Sequence, residues 1–140
     1  METIDIFTIN FLAVLAMMLM GWVVSLISKN VTHVDSLWGV GFVLIAWLTL
    51  GMSDGFVGRR FLISLLVTLW GLRLSLHLSR RNWGHGEDPR YAAWRQKSGD
   101  RFWLVSLVKV FVLQAIFLWI ISLALQWAQI STVPDGFTAW

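Results

Sequence analysis

Five side chains with chemical reach fall within seven residues of this sequence. They are His85, Glu87, Asp88, Arg90 and Tyr91, inside the stretch Ser79–Tyr91 that reads SRRNWGHGEDPRY. An imidazole or phenol can act as a general acid, two carboxylates can accept or donate protons, and an arginine can read phosphate. Spacing alone does not choose among these reactions. The same residues also have a plain architectural reading. Asp88 can cap a helix whose first residue is Pro89, with Glu87 adding negative charge before its N-terminus. PRYAAWRQKSG then forms a short helix ending near Gly99. Tyr91 and Trp94 lie three apart, and Arg90, Arg95 and Lys97 supply positive charge, which suits a helix at a membrane surface beside anionic headgroups.

Polar groups inside apolar runs form a second set of candidates. Arg73 and His77 are four apart and share one helical face. Arginine in lipid costs about 2.5–3.5 kcal/mol on insertion scales, so Arg73 either faces the bundle interior or a wet cavity, or snorkels to the nearby interface. Lys109 is placed similarly, less than two turns into its own run. Asp35 is the obvious carboxylate partner for either cation. Gly39 and Gly41 in WGVG lack the preceding strand and the third glycine of a dinucleotide fingerprint. Beside Trp38 they suit close helix packing, as does Gly71 beside Trp70.

The elements that position these residues are membrane helices. The chain of 140 residues is 57% hydrophobic and only 14% charged, where a soluble domain carries about 25% charged residues. Apolar runs at 7–28, 36–52, 61–78 and 102–125 account for the excess, and about 20 helical residues cross about 30 Å of hydrocarbon. The first run has an acidic flank, Glu2 and Asp5, and no cleavage signal, so it reads as a retained span rather than a signal peptide. The fold class is therefore all-α: a polytopic transmembrane bundle with four spans, and a loop carrying a short interfacial helix. The chain has no cysteine, which excludes disulfides and thiol chemistry. Its three histidines make no zinc spacing, so no metal site is expected. The net charge of +3 fits the basic side of a membrane protein better than nucleic-acid binding.

Lys29, Arg80, Arg81, Arg90, Arg95, Lys97 and Arg101 fall on one side of the membrane, against Arg59 and Arg60 on the other. The positive-inside rule then puts loop 79–101 in the cytoplasm and both termini outside, in a bacterial inner membrane. Trp22, Trp38, Trp83, Trp103 and Trp127 fall near run ends, where indole favours the headgroup region. Charges crowd toward the cytoplasmic end of the spans, which argues against a continuous transport path.

HVDSLWGVGF, then LWGLRLSLHLSRRNWGHGEDPRY, then Trp94–Arg95 and a run holding Phe111 and Gln114, resemble an uncharacterised membrane family, the DUF1295-type proteins. That family is grouped with steroid 5-alpha-reductases and isoprenylcysteine methyltransferases. The resemblance rests on Asp35, Trp38, Gly39, Trp70, Gly71, Arg73, His77 and Arg81, and then on Gly86, Glu87, Asp88, Arg90 and Tyr91. It covers roughly residues 34–114 and implies a helical membrane fold of six or seven spans. In the reductase branch it implies NADPH-dependent reduction of a lipid or steroid enone, a lipid-like substrate. Tyr91 or Glu87 would then stand near the substrate carbonyl as the catalytic group, while Arg73, Arg81 and Arg90 meet phosphate. Asp35, Trp38, Gly39, Trp70, Gly71, His77, Asp88, Lys109 and Gln114 would support them. The Arg-His-Pro-Asn-Tyr pattern that carries cofactor binding in such proteins does not occur in these residues. The chain is thus expected to resemble the N-terminal half of a family member, with NADPH bound only by a complete protein that includes the C-terminal half. A non-catalytic subunit or inactive remnant, and a fragment of an S-adenosylmethionine-dependent methyltransferase relative, are the alternative expectations.

Overall fold

The computed structural model describes residues 1–133. The C-terminus, expected outside, lies beyond the described residues. The chain is helical throughout: α1 Thr3–Ser28, α2 His33–Met52, α3 Val57–Asn82 and α4 Pro89–Ser98, a 3-10 turn Gly99–Arg101, α5 Phe102–Ser106, a π-helical stretch Leu107–Val112, and α6 Leu113–Ile130. Among the described residues, four helical segments are long and apolar enough to cross a membrane, α4 through α6 counting as one. This is a polytopic membrane helical bundle.

The helices outrun the apolar runs because their charged ends continue the same backbone. α1 starts at Thr3, where Asp5 accepts a hydrogen bond from the Glu2 N–H at 3.3 Å. α3 includes Arg59 and Arg60 at one end and Arg80 and Arg81 at the other. The last crossing departs most from expectation. A continuous helix over 102–125 is replaced by a short α-helix, six π-helical residues, and an α-helix that runs on to Ile130. A π-helical stretch widens the turn and resets which residues face inward. Here Val110 and Phe111 are buried, Lys109 is exposed, and Gln114 falls in the first turn of α6.

α2 lies at the centre and touches α1, α3 and α6, whereas α3 packs mainly on α2 and keeps a broad outer face. Val14, Met18, Ile45, Phe111 and Leu118 fill the interior. Lipid is as apolar as these side chains, so helices associate through close packing and polar contacts rather than through hydrophobic burial. The α2–α3 crossing follows that rule. A Cβ added at Gly39 would meet the Gly71 carbonyl oxygen at 2.1 Å, and one at Gly71 would meet the Gly39 carbonyl oxygen at 2.6 Å. WGVG and LWGLRL are therefore the two halves of one backbone-to-backbone contact.

Polar contacts also hold the far end of the bundle. Asn10 Nδ2 donates to Thr49 Oγ1 and to Gln126 Oε1, both at 2.8 Å, and Gln126 Nε2 donates to Ser122 Oγ at 2.8 Å. Gln129 Nε2 donates to Ser64 Oγ at 2.9 Å and to the Ala46 carbonyl at 3.1 Å. These side chains are fully buried. Their sequence signal was available in Asn10, Gln126 and Gln129, three amides in otherwise apolar helices.

Candidate functional site

Asp88 caps α4 by accepting a hydrogen bond from the Arg90 N–H at 2.9 Å, and Pro89 occupies the first helical position. Gly84 and Gly86 bring the chain there from α3 through left-handed backbone, with φ of +77° and +73°, which side chains disfavour. The loop is then stitched to the turn between α1 and α2. Asn30 Nδ2 donates to the Gly86 carbonyl at 3.2 Å, and the Asp88 N–H donates to Thr32 Oγ1 at 2.8 Å.

Glu87 closes this stitch. Arg95 donates to it through Nε at 2.8 Å and Nη2 at 2.7 Å, one bond to each carboxylate oxygen, and the Val31 N–H adds a third at 3.0 Å. Such two-pronged pairing is the strongest geometry open to a carboxylate. Arg95 also donates to the Lys29 carbonyl at 3.3 Å and lies over the Phe102 ring, 4.2 Å from its centroid. Arg95 holds the Glu87 carboxyl below its ordinary range, aided by the Val31 N–H and opposed by partial burial. The Asp88 carboxyl is also lowered, by the side chain and then the backbone N–H of Arg90. Both are carboxylates at neutral pH.

Tyr91 follows one turn after Glu87 and points inward, with 7% of its surface exposed. Gln114 Nε2 donates to its hydroxyl at 3.5 Å, and Trp38 Nε1 donates to Gln114 Oε1 at 2.6 Å. Residues from α2, α6 and α4 thus form one polar chain, Trp38–Gln114–Tyr91. Trp38 is a partly buried member of this chain.

One expectation for the charged residues is corrected, and one left open is narrowed. Asp35 pairs with neither Arg73 nor Lys109; among the described residues the ion pairs are Arg90–Asp88 at 3.0 Å and Arg95–Glu87 at 2.7 Å. The reason is direction. Asp35 opens α2 on the side turned to α4, whereas Arg73 is exposed on α3 and Lys109 is exposed beside Trp94 and Lys97. Arg73 also does not enter the bundle interior. It lines an open cleft of about 710 Å³ with Trp70, Leu74, Leu76, His77 and Arg80.

The three arginines expected to read phosphate are therefore divided. Arg73 stands on the outer face of α3. Arg81 and Arg90 border a separate groove of about 420 Å³ at the loop, together with Thr32, His85 and Asp88. Arg90 is committed to Asp88 through Nε at 3.0 Å and Nη2 at 3.1 Å, while Arg81 donates to Asn82 Oδ1 at 3.3 Å. The residues that sequence reasoning missed are Asn30 and Thr32. Short polar side chains in a turn give no hint that their partners lie 56 positions away.

A basic loop docked on a helical bundle, with a buried tyrosine beneath it, defines the class: an integral membrane protein with a polar site at one end of its spans. The chain belongs to the DUF1295 family, whose model, described as a protein of unknown function, matches residues 21–140. Comparison with curated proteins and with solved structures gave no match.

Proposed function

We propose that this chain takes part in NADPH-dependent reduction of a lipid or steroid enone and contributes residues to the active site. The observation that carries the reading is the Tyr91 hydroxyl, buried and hydrogen-bonded by Gln114, next in sequence to Arg90, which borders the loop groove with Arg81. A buried phenol with a fixed hydrogen-bond network is preorganised to donate to an oxygen that gains negative charge. Reduction of an enone develops such charge on the carbonyl oxygen.

The residues present fit the phosphate portion of the cofactor. Arg81 is exposed at the loop groove with no carboxylate bonded to its guanidinium, while Arg90 beside it is paired with Asp88. NADPH, when bound, supplies the hydride. Tyr91 donates a hydrogen bond to the substrate oxygen, and Gln114, itself held by Trp38, keeps the phenol oriented. Glu87 is less suited to the acid role, since it is ionised and both oxygens are engaged by Arg95. It fixes the loop that carries Tyr91. The concentration of basic residues around this end supports its placement in the cytoplasm, in a bacterial inner membrane, where NADPH is available.

The test is equilibrium binding of NADPH and S-adenosylmethionine to the protein in detergent. NADPH binding that weakens in Arg81→Gln is the expected result. Binding of S-adenosylmethionine alone would move the chain to the methyltransferase branch, and binding of neither would make it a non-catalytic subunit.

A further inference from the structure

The outer face of α3 carries a feature that the polar site does not use. Arg73, His77 and Arg80 recur at spacings of four and three, so they stand in one row about 10 Å long on a helix rising 1.5 Å per residue. All three are exposed, and they line the open cleft of about 710 Å³ with Trp70 at its upper edge and Leu74 and Leu76 between them. No acidic residue lines that cleft, and α3 contains none along its length. Above the cleft the same face continues as Leu62, Leu66 and Leu69, each exposed. One stripe of a membrane-crossing helix is thus apolar for two turns, aromatic for one position, and cationic for the next two turns.

That order is the order of an amphiphile. We propose that this stripe is a binding site for an anionic glycerophospholipid, with its phosphodiester between Arg73, His77 and Arg80 and an acyl chain along Leu62, Leu66 and Leu69. Charge complementarity names the occupant. An arginine on a lipid-facing helix surface is costly unless it reaches water or meets an anion, and the headgroup phosphate is the anion that lies at this depth. The guanidinium and imidazole N–H groups donate to phosphate oxygens, and Trp70 has the amphipathic ring that suits the interface above them. The site rests on the α3 face alone and stands apart from the reductase reading, whose groove lies at the loop with Arg81.

Native mass spectrometry of the full chain, released from detergent with equal phosphatidylglycerol and phosphatidylcholine of identical tails, tests the site. The expected result is preferential retention of one phosphatidylglycerol, reduced roughly tenfold or more in Arg73→Gln/Arg80→Gln, since each basic residue near an anionic surface is worth about a kcal/mol. Arg101→Gln, a basic residue off α3, should leave the preference intact. Equal retention of the two lipids by the unaltered chain overturns the proposal, and that comparison decides the matter even if the double variant does not fold. An equal loss in Arg101→Gln overturns it in favour of diffuse charge. Displacement of the lipid by inorganic phosphate at equal concentration overturns it in favour of a soluble phosphate ligand.

Discussion

Glu87 and Tyr91 lie four residues apart on either side of a helix start, and their surroundings give them opposite tasks. Glu87 is held as a carboxylate by a two-pronged arginine, so its contribution is to docking the loop. Glu87→Gln should lower stability by about 1–2 kcal/mol, toward the low end for hydrogen bonds to charged groups because the Arg95 side chain keeps 37% exposure. The pH dependence follows from the depressed carboxyl. A group whose folded pKa lies below its unfolded value, about 4.3 for Glu, stabilises above that value and loses the contribution as pH falls through the folded one. Thermal unfolding in detergent should therefore separate wild type from Glu87→Gln at pH 7 and bring them together in acid. An equal gap at both pH values would remove the clamp. The Asp88–Pro89 helix start was legible in the sequence because capping is local. The Glu87–Arg95 fork was not, since it depends on the whole of α4 turning its second face back onto the loop.

At the scale of elements, the α2–α3 crossing is the tightest constraint. The Gly39 and Gly71 backbones meet where any side chain would overlap a carbonyl, and a peptide carbonyl in a packed helix cannot step aside. Gly39→Ala should cost about 1–3 kcal/mol, the range for overpacking, and broaden or shift the elution profile in detergent. Gly51→Ala is the matched control on the same helix. A Cβ there meets nothing within 4 Å, and replacing a helical glycine should be neutral or stabilising by up to about 1 kcal/mol. If both variants behave alike, the close crossing is wrong. Tryptophan–glycine pairs flagged crowded contacts in the sequence, but not that the two pairs met each other. The π-helical stretch had no such flag, because Leu107–Val112 is an ordinary apolar run and its register is set by what packs around it. The same register explains why Gln114 reaches Trp38 and Tyr91 while Lys109 turns outward.

For the molecule as a whole, four apolar crossings were readable from composition, since the hydrocarbon thickness dictates their length. Orientation rests on charge asymmetry and can be measured without altering native thiols, because the sequence contains no cysteine. A single cysteine replacing His85 should be shielded from an impermeant maleimide applied outside intact cells, and one replacing Asp54 should react; the reverse pattern would invert the topology. The orientation predicted from that asymmetry puts Tyr91 on the side where NADPH is found. The most direct test of the functional account is enone-dependent NADPH oxidation by membranes containing the protein, compared between wild type and Tyr91→Phe. The account predicts turnover that falls about 10²–10³-fold in Tyr91→Phe, as for loss of one preorganised donor, with NADPH binding retained. Undiminished turnover in that variant would contradict it.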